Sequence, residues 1–341
     1  MKPLFHPRPV NGPFDDAALY LEFMFERRAL MFDLGDITAL SNRRLLRLSH
    51  IFVSHAHMDH FMGLDRLVRV CLGRNVRLHL FGPAGLVSQT EHKLLGYTWN
   101  LVENYANNFT LCVTEAYDEV SGHYAEFRSR EGFQRRGERP VHFAERTLVD
   151  EEQFQVRFTI LDHGTPCLAF ALEEKRHLNV WKTRLDALGL KTGPWLRELK
   201  RAVLRGESDA YPITVGRRAD TSDGTSQLPL GTLRQRILRE SPGQKLGYVV
   251  DSAYHPNNAA RILALVKGAD QLFIETAFLE ADAALAAQKH HLTARQAGEL
   301  AARAAVREVT PLHSSRRYEG REEELRRELQ AAFTGCDPGP T

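Results

Sequence analysis

Long apolar runs, cysteine and a surplus of charge of either sign are all scarce in this sequence. No uninterrupted hydrophobic stretch approaches the roughly 20 residues of a membrane-crossing helix. The leading MKPLFHPRPVNGPFDD has no apolar core of the kind a secretory signal carries. Cysteine occurs only at positions 71, 112, 167 and 336. No two of these have the short spacing of a zinc clip, and their density is too low for a disulfide scaffold. Such usage points to a reduced, cytoplasmic chain. The five methionines form no stripe, which argues against a Met-rich docking face. Lys plus Arg number 45 against 43 Asp plus Glu, a net charge of +2. The whole-molecule field therefore does not select a polyanionic partner, and any nucleic-acid surface must arise from local clustering.

What is present is an ordinary globular composition, 43% hydrophobic and 26% charged over 341 residues. That is enough chain to bury a substantial core. ALYLEFMFERRALMFD (18–33) alternates and reads as two strands about Glu26-Arg27-Arg28. LSHIFVSH (48–55) reads as a buried strand ending at His55, and VRLHLFGP (76–83) as another. FMGLDRLVRVCLG has helical spacing and stops at Gly73. The charged stretch 115–150 reads as a hairpin or surface excursion. QVRFTILDHG and CLAFAL read as strands around His163, and 178–205 as helical, broken at Gly193-Pro194. The Gly-, Ser-, Asp- and Pro-rich segment 206–245 reads as a loop or mobile connection. LGYVVDS (246–252) and QLFIETA (271–277) read as strands ending in acidic residues. Residues 293–305 read as a helix, REVTPLHS as a last strand reaching His313, and REEELRRELQAAF as a final helix. Alternating strands and helices indicate a layered α/β fold, expected as a single domain over 1–341.

The chemistry concentrates in His55-Ala56-His57-Met58-Asp59-His60. Four metal-capable side chains lie within six residues, directly after a strand. Imidazole suits zinc, and carboxylate adds a hard oxygen ligand. So short a cluster cannot complete a two-metal site, so further ligands are expected at distant strand ends. His163, Asp251 and His313 each follow an apolar, strand-like run.

This pattern resembles the ribonuclease Z branch of the metallo-β-lactamase superfamily, from about residue 18 to about residue 318. The His-x-His-x-Asp-His motif is matched by His55, His57, Asp59 and His60. LDHGTPCLAF matches the segment around the next histidine, His163. Val250-Asp251-Ser252 matches a weakened Gly-Asp-Thr, and Leu312-His313-Ser314-Ser315-Arg316-Arg317-Tyr318 the last ligand segment. Ile274-Glu275-Thr276-Ala277 and His291-Leu292-Thr293 resemble the family's His-Glu-Ala-Thr and His-Ser-Thr motifs. The resemblance implies a metallo-β-lactamase αββα four-layer sandwich and two Zn2+ per chain, although Mn2+ or Fe would suit the same ligands. His55, His57 and His163 would hold one ion, Asp59, His60 and His313 the other, and Asp251 would bridge. It implies phosphodiester hydrolysis of RNA such as tRNA 3′ ends, by a hydroxide activated between two metals. Asp59 would orient or deprotonate the water, and His291, supported by Glu275, would act as general acid.

The resemblance also implies a homodimer and a Gly-Pro-bearing arm at about 178–206 that grips tRNA. In LKTGPWLRELKRAVLRG, Trp195, Arg197, Lys200 and Arg201 combine stacking with backbone charge. A solvated amphipathic helix has the same pattern. FRSREGFQRRGER (127–139) is a second basic stretch, read as a solvated loop. His255, close after Asp251, is a further residue that could line the site. The family's N-terminal Pro-Thr-x-x-Arg-Asn loop is absent here, where the chain reads HPRPVNGPFDDAALY, and Ala169-Phe170 replaces Gly-Tyr. A phosphodiesterase for small or cyclic nucleotides therefore stands beside the tRNA reading, with a non-catalytic nucleic-acid-binding scaffold as a third.

Overall fold

The computed structural model describes residues 4–24, 26–216 and 225–335. Cys336, and 217–224 of the expected mobile connection, lie outside the described residues. The chain divides into two compact units: Met1–Leu148, Val156–Leu172 and Lys245–Thr341, and Val149–Gln155 with Glu173–Gln244.

The first unit is built on an eight-stranded sheet whose spatial order follows the sequence. Its strands are β1 (Phe5–Pro9), β2 (Leu19–Phe23), β3 (Ala29–Phe32), β4 (Leu48–Phe52), β5 (Arg77–Pro83), β6 (Thr110–Ala116), β7 (Ser121–Arg128) and β8 (Arg135–His142). β3 to β6 pair parallel, and the flanking pairs are antiparallel. Further along the chain come β9 (Thr147–Asp150), β10 (Phe154–Asp162), β11 (Pro166–Glu174), β12 (His177–Val180), β13 (Pro212–Gly216), β14 (Thr225–Pro229), β15 (Leu238–Ser241), β16 (Lys245–Val249), β17 (Gln271–Glu275) and β18 (Val309–Leu312). A six-stranded sheet runs β18-β17-β16-β11-β10-β9.

Strand alternation explains the layering. Ala29, Met31, Ile51, Val53, Leu78 and Leu80 share a core with Leu64, Leu67, Val68, Leu86 and Val87 of the helices Leu64–Cys71 and Leu86–Leu95. The intervening Phe32 and Phe52 point the other way. There Phe32 lies 5.4 Å from Phe170 and 5.3 Å from Tyr248, centroid to centroid, which are residues of the second sheet. On that sheet's far side, Leu272 and Ile274 pack with Ile262, Leu300 and Leu325 from the helices Pro256–Val266, Ala294–Arg303 and Glu322–Gly335. The layers are thus helix, sheet, sheet, helix.

Two readings change. The charged 115–150 region takes the hairpin form and is no surface excursion: β6, β7 and β8 pair antiparallel in turn and form one side of the large sheet. Ala125, Phe127, Phe133 and Phe143 are buried, but Tyr117 and Val120 are exposed and charge covers the open face, which masked the strands. Likewise 206–245 carries β13, β14, the helix Leu230–Ile237 and β15. In β13, Ile213 and Val215 are buried while Thr214 is exposed, a short alternation hidden by polar surroundings. The stretch 178–205 opens on β12 before its helices Lys182–Ala187 and Trp195–Arg205. These elements of the second unit share a core of Leu185, Leu199, Val203, Ile213, Leu233 and Ile237.

Candidate metal centre and active site

Parallel pairing gathers the chemistry at one edge. Phe32 is opposite Phe52, which brings Asp33 beside Ser54 and His55. Val249 is opposite Ile274 and Glu275 opposite Leu312, which brings Asp251, Glu275 and His313 together. All lie at the carboxyl ends of their strands, where sites in α/β sheets collect. The histidine-rich run leaves β4 and turns at once into the short helix Met58–Phe61, with His57 at its N-cap. That turn is pressed against Gly35, where a Cβ would come within 2.2 Å of the Asp59 carbonyl oxygen. Asp251 and His313 both adopt left-handed backbone, with φ of 53° and 48°. This conformation is strained for a side-chain-bearing residue, and such strain collects at functional sites.

Every residue of the expected ligand set falls in this cluster. His55, His57, His163 and Asp251 have ligand atoms within 4.8 Å of one another, as do Asp59, His60 and His313. Asp251 lies between the two groups. Its Oδ2 is 3.3 Å from Nε2 of His55, 3.2 Å from Nε2 of His60 and 3.6 Å from Nε2 of His163. Its Oδ1 is 2.8 Å from Nδ1 of His313, without hydrogen-bond alignment. His55 Nε2, His60 Nε2, Asp251 Oδ1 and His313 Nδ1 are buried and have no hydrogen-bond partner. Buried polar atoms rarely go unpaired, and a cluster of them on one carboxylate fits cation binding.

The opposite edges of the rings are held. Nδ1 of His60 donates to Asp33 at 2.9 Å, Nδ1 of His163 donates to the His290 carbonyl at 2.8 Å, and Nδ1 of His55 lies 3.1 Å from the Ser54 hydroxyl. Such contacts are what orient metal-binding histidines. Asp33 also accepts from the Ser54 amide and hydroxyl and from the Tyr248 hydroxyl. Sequence reasoning did not single out Asp33, Ser54, Tyr248 or the His290 carbonyl. Only Asp33 left a signal, as an acid ending a strand, like Asp251.

Burial pushes the His55 imidazolium down to about 2, and the charge of His60 adds to this. Burial also lowers His57, with His163 contributing. Both therefore present neutral, ligand-ready rings. Burial opposes charge on His60 too, but Asp251 and Asp33 outweigh it and carry its pKa up to about 10. Asp59 and Asp251 sit well below the carboxylate range: burial would raise both, but His313 and His60 dominate.

Glu275 is fully buried. Its Oε2 accepts from Nδ1 of His291 at 2.7 Å, and its Oε1 from the Ser252 amide at 2.7 Å. Burial alone would lower the His291 pKa, but Glu275 raises it. His291, His313 and Asp59 line one cleft of about 440 Å³, with Phe14, Lys289 and Arg316.

Trp195, Arg197, Lys200 and Arg201 lie on a helix of the second unit. The Trp195 indole donates to the Lys191 carbonyl, Arg197 and Arg201 are exposed, and Lys200 is half-buried, with its pKa lowered by that burial. In the second basic stretch, Arg128, Arg135 and Arg136 pair with glutamates, and Arg139 lies over the Tyr124 ring. His255 caps the helix Pro256–Val266 and lies 3.7 Å from Asp162.

No family model matches the chain. Among solved structures it is similar to the metallo-beta-lactamase fold protein YhfI from Bacillus subtilis, with TM-score 0.53 and 15% identity over 96% of this chain and 94% of that one. It is similar also to the short form of human tRNase Z, with TM-score 0.50 and 17% identity over 92% and 93%. The four layers, the clustered strand ends and these neighbours make this a metallo-β-lactamase fold. Curated sequences narrow it. The chain is 33% identical to a ribonuclease Z of Deinococcus radiodurans over 89% of its own length and 86% of the relative's, and 35% identical to one of Thermobifida fusca over 91% and 83%. The chain belongs to the ribonuclease Z family.

Proposed function

We propose that this chain is a metal-dependent endoribonuclease that hydrolyses a phosphodiester bond in RNA, with 3′-extended tRNA precursors as substrate and zinc as the ion. The observation that carries it is the set of unpaired, buried nitrogen and oxygen atoms converging on Asp251, with the His55, His60 and His163 rings held from behind. His55, His57 and His163 would hold one ion, Asp59, His60 and His313 the other, and Asp251 both. Bound there, two divalent ions supply Lewis-acid polarisation of the phosphodiester and ease ionisation of an attacking water at neutral pH.

The chain's own groups supply the rest. Asp59, in the cleft with His291 and His313, orients the water and can accept its proton. His291, held charged by Glu275, donates a proton to the departing oxygen. Burial of Glu275 fixes the His291 ring, so that its Nε2 is the atom available for this transfer. On the second unit, Arg197 and Arg201 lie one turn apart on an exposed helix face and offer charge to the RNA backbone, with Trp195 and Lys200 beside them.

The test is hydrolysis of a 3′-extended tRNA precursor and of a chromogenic bis-aryl phosphate in parallel, with metal analysis of the purified protein. Cleavage of the precursor by zinc-loaded enzyme is expected. Activity on the small diester alone would defeat the RNA reading.

A further inference from the structure

The cleft beside the cluster has a charge problem that the proposed ligands do not solve. Asp15 and Asp16 line it together with Asp59. Asp15 and Asp16 are not among the proposed ligands, so their charge stays on the cleft wall beside the loaded site. An RNA strand running through this cleft carries a phosphate at every nucleotide, and each would face that charge.

Two cations line the cleft. Arg316 is engaged: its Nε donates to the Phe14 carbonyl at 3.4 Å, and its charge acts on Asp16. It serves to hold the Pro13–Asp16 segment in place, together with the Ser314 amide bonded to the Pro13 carbonyl. Lys289 is different. It is exposed, and among the described residues its ammonium has no ion-pair or hydrogen-bond partner.

Its position is nevertheless fixed. Lys289 closes the helix Ala283–Gln288, its amide bonded to the Leu285 carbonyl. The next two amides bond to Ala287 and Ala286. His290 follows with φ of 58°, which turns its carbonyl onto His163, and then His291 meets Glu275. The three-residue turn is thus clamped at the ligand set on one side and at the proton donor on the other, with Lys289 as its cleft-facing end.

We propose that Lys289 binds a non-bridging phosphate oxygen of a linkage next to the scissile one, and so selects a polynucleotide over a simple diester. This rests on the RNA reading above. The experiment uses the full-length, metal-loaded enzyme and a 3′-extended tRNA precursor in which each linkage flanking the cleavage site is replaced in turn by an uncharged methylphosphonate. For the wild type, one replacement should lower kcat/KM by about tenfold or more, as expected for loss of a charge-assisted hydrogen bond. Lys289→Gln should show the same loss on the all-phosphate substrate, chiefly in KM, and no further loss from that replacement. Lys289→Arg should restore most of the activity and the sensitivity to the replacement. If the effects of Lys289→Gln and of every replacement simply add, or if Lys289→Gln is indifferent on RNA, the assignment is overturned while the RNA reading stands. A wild type that cleaves only the aryl diester overturns both.

Discussion

Glu275 reaches in two directions, to the Ser252 amide beside Asp251 and to the His291 ring, and is itself fully buried. The pH dependence follows from this geometry. A general acid works while protonated, so activity carried by His291 persists below its folded-state pKa and is lost as pH rises through it. Burial lowers that pKa and Glu275 raises it above the ordinary histidine value. Glu275→Gln removes the charge and leaves the burial, so the alkaline limb of kcat/KM should move to lower pH. An unmoved limb with lowered kcat would show that Glu275 only shapes the pocket. His291→Ala and Asp59→Ala should each lower kcat by about 10²–10⁴-fold, with circular dichroism unchanged. Near-wild-type turnover in both would remove the assignment. Asp33→Asn tests the support behind the ligands. Loss of the charge behind His60 should weaken metal binding by about 10–100-fold, read by competition with a chromophoric chelator. The candidate ligands were legible because His55, His163, Asp251 and His313 each follow an apolar run and His57, Asp59 and His60 crowd behind His55 in one motif. The His290 carbonyl could not, because any residue has one and only the left-handed backbone aims it.

At the scale of elements, the strands leading into the candidate site were legible, as were β2, β3, β5 and β11, and the polar strands were obscured. β4, β16 and β17 precede the site as apolar runs because both faces of an inner sandwich strand are covered, while β18 at the sheet edge is half-buried. β8 is an edge strand reading RRGERPVH, almost wholly exposed, and no period-2 signal survives that composition. β13 has only two buried side chains, Ile213 and Val215. The close approach at the motif turn was equally hidden, although it decides where Asp59 sits. The hydrogen bonds Leu34 N to His60 O and Gly63 N to Leu34 O lock that turn to the 34–35 segment. Gly35→Ala would place a methyl group 2.2 Å from the Asp59 oxygen and 2.5 Å from the Asp16 Cβ. Destabilisation by about 1–3 kcal/mol is expected from such overpacking, measured by urea denaturation. Metal affinity should fall with it, since the backbone that must yield carries Asp59 and His60. Unchanged stability would mean the turn relaxes freely.

For the whole molecule, the ligand set draws on segments far apart in sequence: 55–60, 163, 251 and 313. The fold must therefore close both sheets before the cluster exists, and the unfolded chain has no comparable site. Among the described residues, no helix is long and apolar enough to cross a membrane. Closing the sheets without ions leaves buried nitrogen and oxygen atoms unpaired and sets Asp251 chiefly against His60 and His313 as counter-charges. Metal binding is then coupled to stability, because an ion that binds only the native chain stabilises it by RT ln(1 + [M]/Kd), about 4 kcal/mol at a thousandfold excess over Kd. Stripping with a chelator should abolish hydrolysis and lower the thermal midpoint. Titration with Zn2+ should restore both, with two ions per chain at the plateau, read by calorimetry and elemental analysis. His163→Ala and His313→Ala, which remove one ligand from each group, should each reduce the plateau toward a single ion while leaving residual stabilisation. A plateau of one ion in the wild type, or a midpoint indifferent to chelation, would show that the two groups around Asp251 do not act as a pair of metal sites.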